Sequence, residues 1–252
     1  MIFFVPEGSI VRKIWGKSDT VLFIFAGASA EFALNKAVDW LYFTGRLPAD
    51  PIGRLFSTVS YAQKIVFAEL ESANRAIDQI TAIHAAVESN RGARIPEWAY
   101  RDVLFMLIHY SIASFELLET KLSPAEKEEV FNTFYKVGSR MGLQDLPTSY
   151  IEWLTAKEIH LQQDLAKSDL SLDLFGQYKK HLGTFRFNIL KEAQILVVPT
   201  QVRLLLGFGK FSWLSLVLPL YKLSRTLKMD WIIKKIILPK QYRMQIKSMD
   251  LL

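Results

Sequence analysis

Apolar residues recur at intervals of three and four along most of the chain, and strand-like alternation is scarce. The pattern predicts helices over 20–44, 51–68, 72–89, 96–119, 123–142, 147–166 and 171–196. Residues 1–17, with Pro6 and Gly8, read as a short docking arm. In "LSPAEKEE", Ser123 as N-cap, Pro124 at the first helical position and Glu126 three residues on form a capping box. Gly142 in "MGLQDLP" fits the residue just past a helix C-terminus, and Pro147 and Thr148 announce the next helix start. After Pro199, the breakers Gly207, Gly209 and Pro219 are expected to divide the chain into short helices. Among them Trp213, Leu214, Leu216, Val217 and Leu218 form a very apolar hairpin or collar. No stretch reads as a linker between globular units. The expectation is therefore an all-α fold: one multi-helix domain enclosing an apolar pocket over 1–207, and an irregular basic extension over 208–252.

Half of the 252 residues are hydrophobic, which suits a thick helical core, an apolar cavity or a lipid-facing surface. The run "VLFIFAGASA" follows Arg12, Lys13 and Lys17 as in a signal peptide, but Asp19 adjoins it and the basic residues lie well inside the chain. It is read as a buried helix. No charge-free apolar run reaches the roughly 20 residues a bilayer span needs. The absence of cysteine excludes disulfides, zinc–thiolate sites, iron–sulfur clusters and thiol catalysis.

Charge divides the chain unevenly. Residues 1–178 hold 17 Lys and Arg against 22 Asp and Glu, whereas 179–252 hold 14 against 3. A basic tail rich in Trp, Leu and Ile suits an anionic membrane surface. No groove-reading motif is present, so nucleic acid is not an expected partner. The location expected is cytoplasmic or peripheral to a membrane. A basic arm that merely packs on the domain is the plainer alternative.

One segment interrupts the pattern. From Val66, the apolar positions Leu70, Ala73, Ile77, Ile80 and Val87 step by four and three, except that one place is skipped. His84 fills it, so this imidazole is expected to lie along the buried seam of its helix. Burying it unpartnered costs about 1–3 kcal/mol, so a carbonyl, carboxylate or metal should meet it. His109 lies in the apolar "LFMLIHYSIASF", while His160 and His181 lie in mixed polar segments without a clear signal. The four histidines fit no compact zinc motif, and a hydrolytic metal centre is not expected. A haem needs only one or two axial side chains and a large apolar pocket, which this composition can accommodate. Upstream, Arg54 and Thr58 share a helix face. A single straight helix would place Arg54 about 45 Å from His84, whereas a turn near Ser72 would bring them level.

The segments "RLFSTVSYAQKIVFAELESANRAIDQITAIHAAV", "YRDVLFMLIHYS", "LSPAEKEEVFNTFYKVGSRMGLQDLPTSYIEW" and "VVPTQVRLLLG", with the opening "VPEGSIVRKIWGK", resemble the domain shared by latex clearing proteins (rubber oxygenases) and the membrane-bound oxygenase of mycophenolic acid biosynthesis. The likeness spans about residues 5–207. It implies an all-α fold around haem b, dioxygen as co-substrate and a hydrophobic, isoprenoid- or lipid-like substrate. It further implies His84 as proximal iron ligand, Arg54 and Thr58 as catalytic-face residues with Arg54 also pairing a propionate, and His109 as a cofactor-binding residue. The chain departs from the pattern at several points. Ser57 stands where rubber oxygenases carry a distal lysine, Ala68 replaces a glycine, and Asn35-Lys36 replaces a His-Pro pair. The segment between His84 and Tyr100 is also short. A non-enzymatic haem- or lipid-binding protein is the alternative these departures leave open.

Overall fold

A computed structural model describes residues 2–45, 49–227, 229–230, 234, 237 and 242–251. Parts of the basic extension therefore lie outside the described residues. Among the described residues the regular elements are all helical: α1 (Ile10–Trp15), α2 (Ser18–Leu34), α3 (Val38–Phe43), α4 (Pro51–Phe67), α5 (Leu70–Arg91), α6 (Glu97–Leu118), α7 (Pro124–Arg140), α8 (Tyr150–Gln163), α9 (Asp169–Val197), α10 (Thr200–Leu206), α11 (Leu214–Thr226) and α12 (Arg243–Lys247).

The core is organised around α2, which is apolar or small on nearly every face and packs most extensively on α6 and α9. A helix hydrophobic all round belongs in an interior, and the apolar run read as a buried helix behaves so. Its small residues let neighbours approach closely. A Cβ on Gly27 would stand 2.2 Å from the Tyr110 ring of α6, so only glycine fits there. Trp15, Trp153, Phe105 and Phe131 fill the centre, and the Trp15 indole donates to Ser111 Oγ at 3.1 Å.

Local chemistry sets most of the boundaries. The Ser123–Glu126 capping box opens α7. Gly142 follows that helix with φ 84°, a left-handed conformation that glycine adopts without steric cost. The helix expected over 20–44 is instead two, because Asn35 leaves helical geometry and its side chain accepts from the Ala37 N–H. The arm expected over 1–17 contains α1, whose Val11, Ile14 and Trp15 are fully buried. Pro219 does not break its segment: α11 runs through it. The turn expected near Ser72 is present three residues earlier. The chain breaks at Ala68–Glu69, where both residues are extended, and the N-terminal strand-like segment fixes the break. Phe4 N–H donates to the Ala68 carbonyl and Leu70 N–H to the Ile2 carbonyl. The arm thus docks at the α4–α5 corner and makes these helices a hairpin.

Candidate functional site

The hairpin returns α5 alongside α4, and the Arg54 charge acts on His84. Burial, the larger influence, and then Arg54 hold the His84 imidazolium form down, while Glu88 one turn on opposes them. The ring is therefore neutral at pH 7, which is the form that ligates metals. His84 is half-buried rather than sealed in the core, because the outer faces of the last turns of α5 are open and Ile83 is exposed. Its Nδ1 is nonetheless buried without a hydrogen-bond partner. The Tyr100 ring packs edge-on at 5.0 Å, and the Tyr100 hydroxyl donates to Glu88 at 3.1 Å.

On α4, the Arg54 guanidinium donates to Ser57 Oγ at 3.0 Å and to Thr58 Oγ1 at 3.4 Å. Both hydroxyls donate back to the Arg54 carbonyl, a common habit of Ser and Thr inside helices. Arg54, Ser57 and Thr58 thus form one local polar group facing away from Phe56. At 3.6 residues per turn, Arg54 and Thr58 each lie about 160° around α4 from Phe56.

That separation matters because Ile52, Phe56 and Val59 line an almost wholly apolar cavity of about 260 Å³ on the other side of α4. Val21, Phe25 and Ala26 of α2, Leu190 and Ala193 of α9, and Leu214, Leu218 and Tyr221 of α11 complete its walls. Helix α4 is accordingly the partition between an apolar chamber and the Arg54–His84 side.

His109 is placed elsewhere. On α6 it stands nine residues beyond Tyr100, about 13 Å along the axis and on the opposite face. It feels Lys157 and Glu31 rather than Arg54. Burial first and then Lys157 hold its pKa down to about 3; the Val197 backbone partners the ring, and Nε2 has no partner. The structure sets Arg54 within electrostatic reach of His84, with Thr58 bonded to Arg54, and puts His109 with a second group.

That second group, absent from the sequence-based expectation, joins α2, α6 and α8. Glu31 is fully buried and receives the Tyr110 hydroxyl at 2.6 Å, the Lys157 ammonium at 2.9 Å and His160 Nε2 at 3.1 Å. Burial, the largest influence, would raise its pKa, yet Lys157 and His160 together hold it well below the usual carboxylate range. His160 Nδ1 lies 2.9 Å from Asp102 Oδ1 and 3.4 Å from Asp164 Oδ2. Burial alone would lower the His160 pKa, but the Asp102 and Glu31 carboxylates override it and raise it to about 9. The contact with Asp102 is short but oblique, so neither Nδ1 nor Oδ1 has an aligned hydrogen-bond partner.

A signal for this group was present. Trp153, Lys157, His160 and Asp164 step by four, three and four, the same rule that singled out His84.

Among the described residues, the helices therefore hold an apolar chamber on one side of α4 and, on the other, an imidazole with one buried, unpartnered nitrogen. Residues 13–226 match the family model described as ER-bound oxygenase mpaB/B′/rubber oxygenase, catalytic domain, and the chain belongs to that family. Membership places it among oxygenase catalytic domains. No curated protein and no solved structure gives a significant match. No described helix is long and apolar enough to cross a membrane.

Proposed function

We propose that this chain is a haem b-dependent oxygenase of a hydrophobic, isoprenoid- or lipid-like substrate. The observation that carries the reading is His84 Nδ1: buried, unpartnered, on a neutral ring within the influence of a cation. An orphaned ring nitrogen costs free energy unless something binds it, and an iron ion is a chemically suitable partner. The donor set fits a haem: His84 would hold the iron, and Arg54 offers a positive group to a propionate. When bound, haem supplies the redox centre that activates dioxygen.

The chain's own residues supply positioning. Arg54 is presented by its bonds to Ser57 and Thr58. Tyr100 and Glu88 brace His84 from α6 and from the next turn of α5. Thr58 would act through its contact with Arg54, whereas His109 lies with the Glu31 group and takes no part at His84. The apolar chamber lies across α4 from His84 and would hold an apolar part of the substrate remote from the reacting atoms, with Phe56 and Val59 in its wall.

Delivery of such a substrate points to a membrane surface. Leu216, Leu220, Leu223 and Leu227 form one exposed stripe along α11, while Leu214, Leu218 and Tyr221 on its opposite face line the chamber. A helix with an exposed apolar stripe in a basic segment suits the interface of an anionic bilayer.

Ser57 and Thr58 bond to their own helix, and no lysine stands at position 57. This favours a second reading, in which the protein holds haem or lipid without turning it over. Oxygen uptake by haem-loaded protein with long-chain alkenes separates the two: consumption above the autoxidation rate supports the oxygenase, and none across such substrates supports the carrier.

A further inference from the structure

We propose that Asp102, His160 and Asp164 form a binding site for one divalent first-row transition-metal cation, separate from the His84 side and held from behind by Glu31.

The donor atoms are already gathered. One oxygen from each aspartate and His160 Nδ1 lie within 4.8 Å of one another, and the two contacts to Nδ1 are 2.9 and 3.4 Å. Metal–ligand bonds of about 2.0–2.2 Å place adjacent donors roughly 3 Å apart. The directions agree with this arrangement. A histidine and an aspartate paired only with each other would align the ring N–H on the carboxylate oxygen. Here the approach is oblique, and Nδ1 and Asp102 Oδ1 are both buried without an aligned partner.

Behind the donors, each group is fixed. Glu31 Oε1 lies 3.1 Å from His160 Nε2, and metal-bound histidines characteristically donate their other N–H to a carboxylate. Asn35 Nδ2 donates to Asp102 Oδ2 at 2.9 Å and leaves Oδ1 facing His160. Lys36 N–H donates to the Asp164 carbonyl and Ala166 N–H to the Leu34 carbonyl, which clamps the end of α8 to the end of α2.

Charge agrees as well. A metal at Nδ1 takes the place of the second imidazolium proton; the imidazole is then neutral, and Glu31, Asp102 and Asp164 set against Lys157 leave an excess that one dication cancels. Asp164 is partly exposed and provides an entry path. One nitrogen and two carboxylate donors suit Mn(II), Fe(II) or Zn(II) rather than Ca(II), which prefers oxygen alone.

The test uses full-length protein freed of metal by chelator and dialysis. Mn(II) is titrated with the free-ion electron paramagnetic resonance signal as readout, and Zn(II) with the thermal midpoint as readout. The site predicts loss of the free signal for one equivalent of Mn(II) and a raised midpoint with Zn(II). Asp164→Asn, a change at the least buried ligand that keeps the fold by circular dichroism, should weaken binding at least about tenfold. His84→Ala should bind as the unmodified protein does. Unbound Mn(II) together with an unmoved midpoint would overturn the proposal, as would equal affinity in Asp164→Asn. Loss of binding in His84→Ala would assign the ion to the other site and overturn it too.

Discussion

Replacing Gly27 with alanine tests the packing around α2 through the sign of its effect. In a helix interior that meets nothing, Gly→Ala stabilises by up to about 1 kcal/mol. At Gly27 the new methyl would stand 2.2 Å from two carbons of the Tyr110 ring, which is fully buried. Tyr110 must shift, and its hydroxyl is the 2.6 Å donor to Glu31. Overpacking costs about 1–3 kcal/mol, and a hydrogen bond to a charged acceptor contributes about 1.5–3 kcal/mol. Set against the propensity gain, the net expectation is a loss of roughly 2–4 kcal/mol. Gly176 provides the internal control. It too lies inside a helix, α9, and a Cβ there meets no atom within 4 Å. Gly176→Ala should therefore stabilise by about 0.5–1 kcal/mol. Urea denaturation of both variants, with unchanged m-values, reads the difference. Equal stabilisation by the two substitutions would refute the reasoning that Tyr110 is wedged against α2.

Three further outcomes follow from the geometry. Lys157→Met leaves Glu31 buried without its ammonium partner and should destabilise by about 3–5 kcal/mol at neutral pH in chemical denaturation. His109 is held neutral in the fold, with its pKa lowered to about 3 from an ordinary 6.5. Above pH 6.5 it adds no pH dependence; below that, the unfolded chain takes a proton the fold refuses. Stability should then fall by up to about 1.4 kcal/mol per pH unit from this residue, and His109→Gln should remove one proton from the slope between pH 6 and 4. On α11, Leu216→Ser with Leu220→Ser should reduce flotation with anionic liposomes, while urea stability stays within about 0.5 kcal/mol because both side chains are exposed.

Where the signal was local, the sequence carried it well. Helix periodicity, the Ser123 capping box and Gly142 each act within a few residues, and each appears in the fold as read. The hairpin of α4 and α5 was legible as a need, since a straight helix could not bring Arg54 to His84. Its corner was read to within three residues, but what fixes it was not, because Ala68 and Glu69 are held extended by pairing with residues 2–4, far away in sequence. Similarly, Pro219 is a breaker by propensity, yet packing of α11 over the apolar chamber overrides it. The depth of His84 was overread: periodicity gives a direction, while burial also depends on how far neighbouring helices extend.

The Glu31 group shows the opposite failure. Its members come from three helices, and Lys157 and His160 look polar and solvent-facing one at a time. Only the step rule applied to Trp153, Lys157, His160 and Asp164 places them on the inner face of α8. The partition by α4 also has no local signature. It follows from Phe56 and Arg54 lying on opposite sides of a helix whose two faces are both covered.

The central claim, that His84 holds haem iron, is tested most directly by the visible spectrum and iron content of purified protein beside His84→Ala. The account predicts a Soret band with about one iron per chain, from haem retained on purification or added back, and its loss or displacement in the variant. If the chelator-treated protein is used, iron outside haem does not enter the count. No Soret band after haem is supplied, or a band unchanged in His84→Ala, would contradict it.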